Sequence, residues 1–381
     1  MRVLIALRKL LAAAVLVPVA ATAWAIILVG ALLVLVWNFL RQPLDFFSMR
    51  PSQEFSRPEV PGMESVFVQT SRVRLHALRN KTADPARPLM LFLHGFPENA
   101  YSWRRQLLYF QDRFTVVALD MRGFGESDAP KGLEHYSVDL LAMDVLAVIK
   151  ACGYQSCVLI GHDWGGMVAW NFAANFPQAV DALVTVCSPH PRAYNEPACF
   201  TPGQARRSSY FLLFATSHLP ELYLSHSKGR EIRKMMLSPP MGVRNVAAVT
   251  EDDVLFYVDA LLRPGRLTAG LNYYRSAMFM SSARAKKFVE RATASTDTST
   301  DASKGVAGWS GPTLQLYADS DGAFERGMFE NCSVAGENWA KKHMSRILLE
   351  GCSHWAQQDQ AGRVNEEIKR FVDALHLTAL A

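Results

Sequence analysis

The stretch Cys157-Val158-Leu159-Ile160-Gly161-His162-Asp163-Trp164-Gly165-Gly166 decides how this chain folds. Its first four residues are apolar and read as a buried strand, and apolar spacing from 167 to 175 reads as a helix. Between them, glycines at 161, 165 and 166 flank a central polar residue, Asp163, where the strand must reverse sharply into the helix. Small residues allow the close backbone approach that such a bend requires. A side chain at the apex is lifted out of the sheet edge. The plainer use of an Asp at this point is to cap the helix that follows.

Outward from this bend the same rhythm repeats. Apolar runs at 89–93, 115–119, 157–160, 183–186, 313–317 and 347–349 read as buried strands, and residues 138–150, 167–175 and 364–375 carry helical spacing. Strands interleaved with helices imply an α/β fold, with a mostly parallel central sheet and helices on both faces. One interruption is long. From 189 to about 285 the sequence is helical and aromatic with no strand signal, which reads as a helical lid over the C-terminal strand edge, where open α/β sheets bind ligands. The expected organisation is an α/β core at 65–188 and 309–381, a lid at 189–290, and a Ser/Thr/Ala/Gly-rich connector at 291–308.

The N-terminal end is of another kind. A short basic segment, residues 1–9, precedes residues 10–40, which hold no charged side chain, and a Pro/Arg/Ser-rich linker follows at 41–64. A helix of that length spans roughly 45 Å, more than the roughly 30 Å hydrocarbon core, so it reads as a tilted single-pass transmembrane anchor with Trp37 near one boundary. A cleaved signal peptide is the competing reading, but the apolar run extends far beyond a normal signal core. Arg2, Arg8 and Lys9 on one side, against Arg41 and Arg50 offset by Asp45 on the other, favour a cytoplasmic N-terminus and a lumenal catalytic domain, expected at the endoplasmic reticulum. The sequons Asn80-Lys81-Thr82 and Asn331-Cys332-Ser333 would suit a lumenal domain.

Across the 381 residues the net charge is +5, with the basic residues scattered and no basic stripe interleaved with aromatics, so no nucleic-acid partner is expected. The six cysteines show no paired metal-ligand spacing and are too sparse for a disulfide scaffold. Cys187 reads as a small buried hydrophobe.

Two further segments bear on Asp163. His94-Gly95-Phe96-Pro97 directly follows the strand at 89–93, and His354 follows the last strand in Cys352-Ser353-His354-Trp355. If the bend is a nucleophile elbow, the loop after the earlier strand and the residue after the nucleophile each supply an oxyanion-hole N–H, here Phe96 and Trp164. His354 then stands where the general base belongs. An acid that orients it is expected after the strand at 313–317, where Asp319 and Asp321 both lie. The chain order is nucleophile, acid, histidine.

Taken together, His-Gly-Phe-Pro-Glu (94–98), Asp-Met-Arg-Gly-Phe-Gly-Glu-Ser-Asp (120–128), Gly-His-Asp-Trp-Gly-Gly (161–166), Leu-Asn-Tyr-Tyr-Arg (271–275) and His-Trp-Ala-Gln-Gln-Asp (354–359) resemble the epoxide hydrolases of the α/β-hydrolase superfamily. The resemblance runs from about residue 64 to 375, and the anchored layout is similar to the membrane-bound animal relatives of soluble epoxide hydrolase. It implies Asp163 as nucleophile, His354 as base, and two lid tyrosines, Tyr274 and Tyr210, that polarise the epoxide oxygen, with Tyr273 left to pack. Counting from Pro312-Thr313 it implies Asp321 as the acid, with Asp319 as the alternative. The family's usual Trp-Gly pair before the acid loop is replaced here by Tyr317-Ala318. The implied substrate is a lipophilic small-molecule epoxide, with no metal or organic cofactor. A dehalogenase with the same Asp nucleophile, and a catalytically silent lipid-binding relative, are the alternatives.

Overall fold

A computed structural model describes residues 22, 24–43, 47, 57–280, 309–332 and 344–377. The basic segment 1–9, residues 10–21 of the apolar run, half of the linker and the connector 291–308 lie outside the described residues.

Eight strands form one sheet: β1 Met63–Gln69, β2 Arg74–Asn80, β3 Leu89–Leu93, β4 Thr115–Leu119, β5 Cys157–His162, β6 Val180–Val186, β7 Thr313–Ala318 and β8 Met344–Leu349, in the order β1-β2-β4-β3-β5-β6-β7-β8. β1 pairs antiparallel with β2, and β2 with β4; every other pairing is parallel. β3, β4 and β5 are buried along their whole length, because helices cover both faces of a parallel sheet. Each apolar side chain so buried contributes about 1.5–3 kcal/mol.

The two antiparallel strands carry no continuous apolar run. β1 alternates between exposed and half-buried positions at the sheet edge, and β2 includes Arg74, His76 and Arg79. The linker, expected to run through 64, ends where β1 begins at Met63. Asn80 closes β2 fully buried. Its amide donates to the Gln111 and Phe114 carbonyls and its oxygen accepts from the Val116 N–H, which leaves no room for a glycan at that sequon.

Between β6 and β7 the described chain is helical: Pro202–Arg207, Tyr210–Phe214, Leu219–Leu237, Glu251–Leu262 and Arg266–Phe279. Thr250 and Asp253 form a reciprocal cap at the start of Glu251–Leu262. Asp253 also accepts from the Tyr101 hydroxyl and pairs with Arg104 at 3.0 Å, so a buried ion pair ties these helices to the core. At the other end, the apolar helix Trp24–Arg41 is long and apolar enough to cross a membrane. Asn38 in that helix accepts from Arg230 at 2.9 Å and contacts His226 Nε2 at 3.1 Å.

Candidate active site

At the end of β5 the backbone of Asp163 takes φ 49°, ψ −118°, a conformation that costs an L-residue about 1–3 kcal/mol. The neighbouring glycines make the bend possible. A Cβ at Gly161 would stand 2.4 Å from the Gly165 carbonyl oxygen, one at Gly165 would stand 2.2 Å from the Leu93 oxygen, and one at Gly95 would stand 2.5 Å from the Asp163 Cβ. Asp163 precedes the helix Trp164–Asn175, but its side chain makes no capping hydrogen bond. The carboxylate turns instead toward the groove, where Oδ1 accepts from the Phe96 N–H at 3.0 Å. The Trp164 N–H, the other expected oxyanion-hole donor, makes no hydrogen bond to this carboxylate.

His354 lies 3.7 Å from Asp163, Nε2 to Oδ2, an ion-pair contact longer than a hydrogen bond. Its Nδ1 faces both oxygens of Asp321, at 3.0 and 3.1 Å. Asp321 is buried and is held by the N–H groups of Ala323 and Phe324. Asp319 points elsewhere, accepting from the Gly351 and Cys352 N–H groups and bracing the turn after β8. Burial alone favours a neutral His354. The charge of Asp321, joined by the Asp163 carboxylate, outweighs it and pushes the ring up to about 10. Burial likewise favours a protonated Asp163, yet His354 and the Phe96 N–H hold it below the usual carboxylate range.

Tyr274, in Arg266–Phe279, and Tyr210, at the start of Tyr210–Phe214, face each other with ring centroids 6.0 Å apart. Both line a cavity of about 700 Å³ together with Asp163, His354 and Phe96. Burial raises the pKa of both phenols well above the ordinary 10, and the nearby Asp163 charge adds to it, so both remain protonated donors. Tyr273 does not line this cavity and donates to the Arg122 carbonyl at 2.7 Å. A second cavity, of about 510 Å³, meets the first at Asp163 and Tyr210.

Three features had no signal of role in the sequence. Tyr194 lines the second cavity beside Asp163 and Tyr210, and burial with the charges of Asp163 and Asp321 raises its pKa. Glu98 is buried beneath the elbow and accepts from Gln357 and Gln358, while His162 Nδ1 contacts its Oε2 at 2.9 Å. The other ring nitrogen of His162 lies 2.9 Å from the His354 carbonyl oxygen. This network braces the Asp163 and His354 loops against each other. Glu98, Gln357 and Gln358 sit inside motifs quoted above, but only the fold reveals that those motifs touch.

The family described as alpha/beta hydrolase fold matches residues 88–361. Human epoxide hydrolase 4 is 33% identical over 347 residues, covering 90% of this chain and 88% of that protein. Epoxide hydrolase 3 of Xenopus tropicalis is 32% identical over 362 residues, covering 92% and 91%. Among solved structures, an epoxide hydrolase from Bacillus megaterium in complex with an inhibitor superposes with a TM-score of 0.65 at 26% identity, over 81% of this chain and 100% of that one. The chain belongs to the epoxide hydrolase family of the α/β hydrolases.

Proposed function

We propose that this protein hydrolyses lipophilic epoxides to vicinal diols through a covalent ester on Asp163. The observation that carries the reading is the convergence of one cavity on Asp163, His354, Tyr210 and Tyr274. Asp163 Oδ attacks a ring carbon, the C–O bond opens, and the alkoxide takes a proton from the phenols. Esterification removes one of the two negative charges that face His354, so the ring loses its proton and becomes a base. The proton it releases balances the one taken up by the alkoxide. His354, oriented by Asp321, then takes a proton from water. The hydroxide attacks the Asp163 carbonyl carbon, Phe96 and Trp164 N–H groups hold the oxyanion, and collapse frees the diol and the carboxylate.

Tyr210, Phe214, Leu213, Met235 and Met241 along the cavity support an apolar substrate such as an unsaturated-acyl epoxide. The apolar helix Trp24–Arg41 supports membrane attachment, and the basic excess before it favours a cytoplasmic N-terminus, which would put the catalytic domain on the lumenal side of a membrane such as the endoplasmic reticulum. The deciding experiment incubates the His354→Gln protein with an epoxide and weighs it intact. A mass increase equal to the epoxide, located on the peptide carrying Asp163, is expected. An unmodified enzyme that also makes no diol overturns the scheme.

A further inference from the structure

The apolar helix does more than stand beside the catalytic domain. One of its faces, Ile27, Gly30, Ala31 and Val34, lines the same cavity that ends at Asp163 and His354. These positions follow the i, i+3, i+4, i+7 spacing of a single helical stripe. Ala31 and Leu35 are buried, while Gly30 and Val34 remain exposed along the cavity. A Cβ built on Gly30 meets no atom within 4 Å, so the helix there borders open space and not packed protein. The opposite face, including Ile26, Val29, Leu33, Val36 and Leu40, is exposed and wholly apolar. Arg206 and Lys234 stand exposed at the cavity rim, where a headgroup layer suits long cationic side chains. Asn38 accepts from Arg230 through its amide oxygen and donates to His226 Nε2 through its amide nitrogen, which holds the helix against Leu219–Leu237.

From this arrangement we infer that the active-site cavity opens along the anchor helix into the acyl-chain phase of a bilayer, and that dissolved epoxides reach Asp163 by that side. The inference rests on the function proposed above and adds the phase from which substrate comes. An apolar epoxide concentrates in the bilayer, so a mouth walled by a lipid-facing helix draws on that pool without an aqueous step. The small residues at 30 and 31 leave the gap through which the chain passes. The second cavity reaches Asp163 from another side and is not lined by the apolar helix.

The test uses the full chain in phosphatidylcholine vesicles with two probes, methyl epoxystearate dissolved in the bilayer and styrene oxide added in water. Gly30→Trp fills the mouth, whereas Leu33→Trp places the same ring on the outer face, where Leu33 is 62% exposed. Gly30→Trp is expected to lower kcat/KM for methyl epoxystearate relative to styrene oxide by about tenfold or more, and Leu33→Trp to keep that ratio within about twofold. The unsubstituted rate on methyl epoxystearate should follow its mole fraction in the bilayer. Equal effects of the two substitutions, or a rate set by bulk concentration alone, overturn the inference. Diol from styrene oxide in those same samples keeps the enzymatic reading intact, whereas no diol from either probe in the unsubstituted protein defeats both.

Discussion

At the scale of single residues, the site is a line of charges: Asp321 behind His354, His354 facing Asp163, and two phenols across the cavity. Tyr274→Phe removes one donor at the developing alkoxide and should lower the rate of ester formation on the order of 10²-fold. Stopped-flow alkylation measures it, and an unchanged rate would assign oxyanion stabilisation to other groups. His354 supplies a second prediction. Its folded pKa of about 10 lies above the ordinary 6.5, so its stabilising contribution is complete below about pH 6.5 and is lost as pH rises toward 10. The melting temperature of the unsubstituted protein should therefore fall across that window relative to His354→Gln. Parallel curves would contradict the assigned charge state.

At the scale of elements, the elbow depends on glycine where β5 passes the neighbouring backbone. Gly165→Ala would place a methyl 2.2 Å from the Leu93 carbonyl oxygen, in the strand beside β5, and no rotamer can relieve a clash with backbone. A loss of about 1–3 kcal/mol in urea unfolding is expected. A stable Gly165→Ala protein would mean that the bend is looser than drawn. Legibility also divides by element. β3, β4, β5, β6 and β7 stood out as apolar runs, because burial on both faces demands continuous hydrophobicity, and the half-buried edge strand β8 was legible only in its apolar end at 347–349. β1 and β2 did not: β1 is an edge strand half open to solvent, and β2, paired on both sides, interrupts its apolar residues with Arg74, His76 and Arg79.

At the scale of the whole molecule, the helix Trp24–Arg41 has an exposed apolar face that water would not tolerate well and a narrower face that packs on the lid. The full chain should stay in the membrane pellet after an alkaline wash and leave it only with detergent. Recovery in the supernatant would count against anchoring. The Arg104–Asp253 pair and the Asn38 contacts both join parts distant in sequence, and so pack lid, core and helix against one another.

By itself, the sequence determined what is local: the strand–bend–helix around Asp163, the strand and helix periods, and the apolar N-terminal run. Each is written in adjacent residues, through hydrophobic spacing and the steric freedom of glycine. The resemblance favoured Asp321 over Asp319, and tertiary structure supplied the reason: the turn after β7 aims Asp321 at His354 and Asp319 at the Gly351 N–H. Tertiary structure alone decided that the Asp163 side chain leaves its helix uncapped, that Glu98 underpins two distant loops, and that the apolar helix walls the active-site cavity. These are contacts between segments far apart along the chain, and their geometry arises only when the sheet and lid pack together.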